Sequence, residues 1–159
     1  MRVAPVPSQK PPPEDAHTFI ATDQPRFWWG VENDAKWSAF LATNQDKIPP
    51  ILCHGAEGVV FLAAEQAVFA LREDTGALLA TVGNASDVRS VFKAADDLVL
   101  AVAADQVLAF RASGALLWRQ SLPDLVDDVQ VELDVVKVSD ISGANYQLSF
   151  QTGLPIKPR

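Results

Sequence analysis

From Ile51 onward the chain is written in short apolar runs that come in pairs, each pair separated by two or three small or polar residues and closed by a turn glycine. Those glycines, Gly76, Gly114 and Gly153, lie 38 and 39 residues apart. Such a period, with strand-length runs and Asp-Thr-Gly or Ser-Gly turns, predicts an array of similar hairpin-based sheets. The first copy starts GVVFLAAEQAVFALREDTGALLA at Gly58 and the second DLVLAVAADQVLAFRASGALLW at Asp97, aligned at an offset of 39 through Arg72 and Arg111. One deletion before Ser113 then restores register. The third copy, from Val131, is more diverged but keeps Leu148 five residues before its glycine, as Leu71 stands before Gly76.

The strand faces differ between copies. In the first two, Val59, Phe61 and Ala63 alternate with Val60, Leu62 and Ala64, and Leu98, Leu100 and Val102 with Val99, Ala101 and Ala103. Strands apolar on both faces call for packing on both sides. In the third, Val129, Val131, Leu133 and Val135 alternate with Gln130, Glu132 and Asp134, and Tyr146, Leu148 and Phe150 with Gln147, Ser149 and Gln151. One wet face is what the last sheet of an open stack needs to stop further association; the same face would also suit a charged partner.

Residues 1–16 hold five prolines and few apolar anchors, which predicts an extended, poorly ordered tail unless it docks on a neighbour. Residues 17–159 are expected to form one β domain: 17–50 as an aromatic-rich segment outside the repeat, 51–159 as the repeats. In the aromatic segment Trp37, Phe40 and Leu41 fit a short helix capped by Asn33 or Asp34, while Trp37, Ala39 and Leu41 fit one face of a strand; a helix or turn is the reading adopted. Phe27, Trp28, Trp29 and Trp37 concentrate there, so they are either a plug for the open end of the stack or the candidate surface for partner contact.

Val68-Phe69-Ala70-Leu71 with Thr75-Gly76-Ala77-Leu78-Leu79, and Val107-Leu108-Ala109-Phe110 with Ser113-Gly114-Ala115-Leu116-Leu117-Trp118, resemble the PQQ-like repeat of quinoprotein-type β-propellers. The resemblance covers residues 51–158. It implies an all-β fold of three blade-like antiparallel sheets in an open or incomplete propeller-like stack, preceded by an irregular N-terminal segment. It also implies that Trp118 docks one blade on the next, with Ala80 at the matching place in the first copy and Ile156 near it in the third. Quinoprotein enzymes of this likeness carry more blades, a calcium site and a quinone pocket, whereas three copies are too few to enclose a central cofactor channel.

The candidate chemistry is thin. The net charge of −7 and pI of 4.7 speak against nucleic-acid or anionic-membrane partners; a basic protein partner fits them better, and acidity alone serves solubility just as well. The lone Cys53 rules out an intrachain disulfide and any CxxC motif, and the N-terminus has neither a signal-peptide core nor any bilayer-length apolar run, so a cytoplasmic location is the simplest expectation. His17 and His54 lie in no metal-binding spacing, and Cys53 and His54, adjacent on a strand, point to opposite faces. The acidic pairs Asp96-Asp97 and Asp127-Asp128 stand before strands, where turn capping and edge protection account for them. The sequon Asn84-Ala85-Ser86 matters only in a eukaryotic secretory route.

No catalytic, metal or cofactor-binding residue is therefore expected, and no cofactor. The expected function is non-catalytic protein binding, with an immunity or antitoxin-type inhibitor of a basic partner as one version and homo-oligomerisation as an open question. The alternative is a ligand-binding or enzymatic protein with a pocket between the aromatic segment and the sheets.

Overall fold

The computed structural model describes residues 2–8, 10–34, 36–83 and 86–156. Fifteen strands form four sheets among these residues. The repeat sheets are β5 (Ile51–His54), β6 (Val59–Ala64), β7 (Ala67–Arg72) and β8 (Leu78–Val82); β9 (Val88–Ala95), β10 (Leu98–Ala103), β11 (Gln106–Arg111) and β12 (Leu116–Ser121); and β13 (Val126–Glu132), β14 (Val135–Asp140) and β15 (Asn145–Ser149). Each is an antiparallel meander in chain order. These are the second, third and fourth sheets, because the segment before Ile51 makes one of its own.

That first sheet corrects the helix or turn assigned to residues 33–41. β3 (Phe27–Asn33) and β4 (Trp37–Thr43) form a regular hairpin pairing Asn33 with Trp37 and Phe27 with Thr43. β1 (Arg2–Ser8) lies beside β3, and β2 (Thr18–Ile20) runs parallel to β4. The proline-rich N-terminus thus docks as an edge strand, the place in a sheet where proline is tolerated. The strand period wins because Trp29, Val31, Ala39 and Leu41 all find a face of the second sheet to bury against, and tertiary packing overrides a short helical spacing.

Three apolar clusters fill the three spaces between successive sheets. Trp29, Val31 and Leu41 meet Val60, Leu62 and Leu71. Phe61 meets Phe110 at 5.4 Å between ring centres, joined by Val99, Ala101 and Leu108. Leu98, Leu100 and Val107 meet Val136, Val138 and Leu148. The two-sided apolar strands β6 and β10 are buried throughout, as their patterns require. The stack is open, so the first and fourth sheets each present an outer face.

These outer faces are unlike. Across the fourth sheet the register places Gln130, Lys137 and Gln147 in one row, while the inner row is Val131, Val136 and Leu148. On the first sheet the outer row is Trp28, Ala42 and Ile20, followed by Gly30, Phe40 and Thr18. Leu133, counted with the apolar face in the sequence, instead lies in the β13–β14 turn and is 95% exposed.

Candidate functional site

The four aromatic candidates are divided between the two faces of one hairpin. Trp29 is buried, and its Nε1 donates to Thr43 Oγ1 at 3.1 Å. Trp37 lies half-buried against the second sheet, its ring on Gly76 and its Nε1 donating to the Glu73 carbonyl at 2.9 Å. Phe27 shares their face of the strand and is half-buried. Trp28 points the other way, to the outer face, beside Ala42. Two of the four are thus committed to the interior, and the four form no single surface.

The Trp37 contact has a counterpart at Trp118, eighty-one residues along the chain. The Trp118 ring lies on Gly153, and its Nε1 donates to the Phe150 carbonyl at 2.9 Å. In both cases the acceptor stands three residues before the turn glycine, and a Cβ on that glycine would come within 2.6 Å of the indole. Both glycines also have positive φ, +71° for Gly76 and +68° for Gly153. The role the resemblance implies for Trp118 is the role it has, joining the third sheet to the fourth. Trp37 does the same between the first and second, with Asn33 Nδ2 also donating to the Glu73 carbonyl. Sequence reasoning missed it because Trp37 precedes the repeat; the signal was an indole placed at similar distances before a turn glycine in both cases.

The middle junction has Ala80 where the others have tryptophan, and closes differently. Gly114 meets Leu79 and Ala70, and Ala56 N–H donates to the Ala112 carbonyl at 3.0 Å. Gly55 permits this approach, since a Cβ there would lie 2.4 Å from that same oxygen.

The openings in the surface lie on the rims of these junctions. One of about 310 Å³ is lined by Asn33, Asp34, Lys36, Glu57, Arg72 and Asp74 at the first junction. Another of about 480 Å³, between the third and fourth sheets, is lined by Asp97, Leu98, Arg111, Leu117, Asp134 and Phe150. A third, of about 470 Å³, has a largely apolar lining including Ile48, Pro49, Ile51 and Val88 beside Glu65 and Asp87.

The remaining chemical candidates are spread out. Cys53 is half-buried on β5, where burial pushes its thiol above the ordinary 9.0, while His54 beside it is exposed, its Nδ1 3.6 Å from Glu73 Oε1. His17 lies against Phe19 with ring centres 4.7 Å apart. Asp97 pairs with Arg111 at 3.8 Å. Asp140 is a structural acid: it is buried, accepting at Oδ1 from the Ser142 hydroxyl and the Ser142 and Ala144 amides, and at Oδ2 from Tyr146. The Ser142 hydroxyl foremost holds its carboxyl below the usual 3.8. Among the described residues no group of three or more His, Cys, Asp or Glu is placed to hold a metal, and no helix is long and apolar enough to cross a membrane.

Solved structures of similar shape are β-propellers. The computationally designed Ika8 protein aligns with a TM-score of 0.54 at 16% identity over 82% of this chain and 45% of its own. The WD40 β-propeller domain of Doa1 aligns at 0.53 and 13% over 82% and 46%. The computationally designed Ika4 protein aligns at 0.53 and 18% over 69% and 70%. The chain thus spans under half the length of the first two. At these identities the likeness shows the fold, a β-propeller-like array of sheets. No family model and no curated protein matches the sequence.

Proposed function

We propose that this chain is a non-catalytic protein-binding module built on PQQ-like repeats. The observation that carries this is the filling of the inter-sheet spaces: Trp29, Val31 and Leu41 pack against Val60, Leu62 and Leu71, so the openings between the aromatic segment and the repeats lie only at the rim. What remains for ligands is the rim and the outer faces, which suit extended contact with another macromolecule better than enclosure of a small substrate. Propeller-like folds commonly mediate contacts between proteins, and the net charge of −7 favours a basic partner. An immunity or antitoxin-type inhibitor in the cytoplasm is the most specific form of this reading.

The test is isolation of a stoichiometric partner from the source cell by affinity capture, followed by reconstitution from purified components. A basic protein that forms a salt-sensitive one-to-one complex is the expected result. Capture of no stoichiometric protein, together with saturable binding of a small molecule at the first junction's rim, would overturn the reading in favour of a ligand-binding one.

A further inference from the structure

Each repeat sheet opens with a hairpin turn at an equivalent place, and the three turns are filled differently. Residues 55–58, ending in Glu57-Gly58, join β5 to β6, Asp96-Asp97 joins β9 to β10, and Leu133-Asp134 joins β13 to β14; the carbonyls of Gly58, Asp97 and Asp134 accept from Glu73, Ala112 and Phe150 N–H in turn. Glu57 and Leu133 share the left-handed backbone, with φ of 54° and 51°. That conformation is disfavoured for side chains other than those of Asn and Asp, and glycine suits it best. Leu133 also adds nothing to a core, being almost wholly exposed. The fold therefore supplies two reasons for a different residue there and none for leucine, while the two sibling turns place carboxylates at the same position.

The turn borders the opening between the third and fourth sheets. Asp134 lines it, and its carbonyl accepts from the N–H of Phe150, another lining residue, at 3.0 Å. The apolar part of the lining is Leu98, Leu117 and Phe150, and the charged part is Asp97, Asp134 and Arg111. The Arg111 guanidinium is engaged with Asp97, so carboxylate outweighs cation at the mouth.

We propose that Leu133 and this groove form a docking site for a protein segment carrying an apolar side chain flanked by Lys or Arg. The apolar side chain enters against Leu117 and Phe150, Leu133 closes over it, and the cation meets the Asp134 side of the mouth. This rests on the protein-binding reading and gives it a location and a partner chemistry. A strained, exposed apolar residue next to a part-apolar groove is what a recognition anchor requires.

The probe is a short peptide with one leucine between two lysines, titrated against the full chain by methyl and aromatic NMR, with a Glu-Leu-Glu peptide as control. Saturable shifts at Leu117, Leu133 and Phe150 are expected with the lysine peptide. Binding should be roughly tenfold weaker with the glutamate peptide and in Leu133→Ser, whose thermal midpoint should stay at or above that of the parent. Equal binding of both peptides, unchanged binding to Leu133→Ser, or no shifts at millimolar peptide would overturn the site. Concentration-dependent self-association lost in Leu133→Ser would also overturn it, by making a second copy the occupant. A stoichiometric basic partner that binds Leu133→Ser as tightly as the parent would sink this site and leave the broader reading standing.

Discussion

The same pairing of an indole with a turn glycine is used at both ends of the stack, and its parts can be separated by substitution. Gly58 and Gly153 have nearly the same backbone, φ of +70° and +68°, but a Cβ at Gly58 meets nothing within 4 Å whereas one at Gly153 meets Trp118 at 2.6 Å. Gly58→Ala should therefore lose only the left-handed penalty, about 1–2 kcal/mol. Gly153→Ala and Gly76→Ala should lose that plus the displacement of a docked indole, about 3 kcal/mol or more in all. Urea unfolding of the three variants reads the difference, and equal losses would mean that the docking contributes no stability. Leu133→Asn gives the opposite sign: with the strain relieved and an exposed isobutyl group removed, a gain of about 0.5 kcal/mol or more is expected in the same measurement. At this scale the sequence revealed Trp118 because it stands inside the repeat, four residues after Gly114. Trp37 was hidden because it precedes the repeat and has Asn33, not a turn glycine, four residues before it.

Among elements, the two-sided apolar strands β6 and β10 were readable because nothing but burial between two sheets satisfies them. The first sheet was not, since β3 and β4 mix polar residues into both faces and Trp37, Phe40 and Leu41 fall at helical spacing as easily as at strand spacing. What decides it is the second sheet, whose Val60, Leu62 and Leu71 need a cover. The turn between β14 and β15 shows an element held by one acid. Asp140 organises Ser142, Ala144 and Tyr146, and its folded carboxyl titrates below the ordinary 3.8. A depressed carboxyl contributes stability that is fully present above the unfolded value and lost as pH falls through the folded one. Stability of the parent should thus decline as pH drops below about 4, and Asp140→Asn should be less stable near neutrality and flatter across that acid window. Tyr146 works in the other direction: the Asp140 hydrogen bond raises its phenol above 10.0, so its contribution should persist below that pH and fade above it. Denaturation midpoints between pH 2 and 7, compared for the parent and Asp140→Asn, test the first claim; parallel profiles would refute it.

At the scale of the whole molecule the question is what stops an open stack of sheets from adding more. The fourth sheet answers with polarity, its outer row of Gln130, Lys137 and Gln147 lying back to back with Val131, Val136 and Leu148. The alternation that reveals this was plain in the sequence, because a strand with one wet face writes its burial with period two. The glycine period announced an array, and the face pattern of its last copy announced a sheet with one polar face; the sheet before Ile51 needed the structure. If polarity is the stop, removing it should restart growth. Gln130→Val, Lys137→Val and Gln147→Val together would create an apolar patch across three neighbouring strands without touching the inner core. The triple variant should keep its β-sheet circular dichroism but associate in a concentration-dependent way in sedimentation, while the parent sediments without that dependence. The reverse change at the opposite end, Phe40→Gln, removes apolar area from a face that already carries Trp28 and Ile20, and should leave the triple variant's association intact if the new patches pair with each other. Should Phe40→Gln abolish it, the growth is head to tail, the fourth sheet of one copy on the first sheet of the next, and the polar row is what normally keeps the molecule from closing or extending with its own kind.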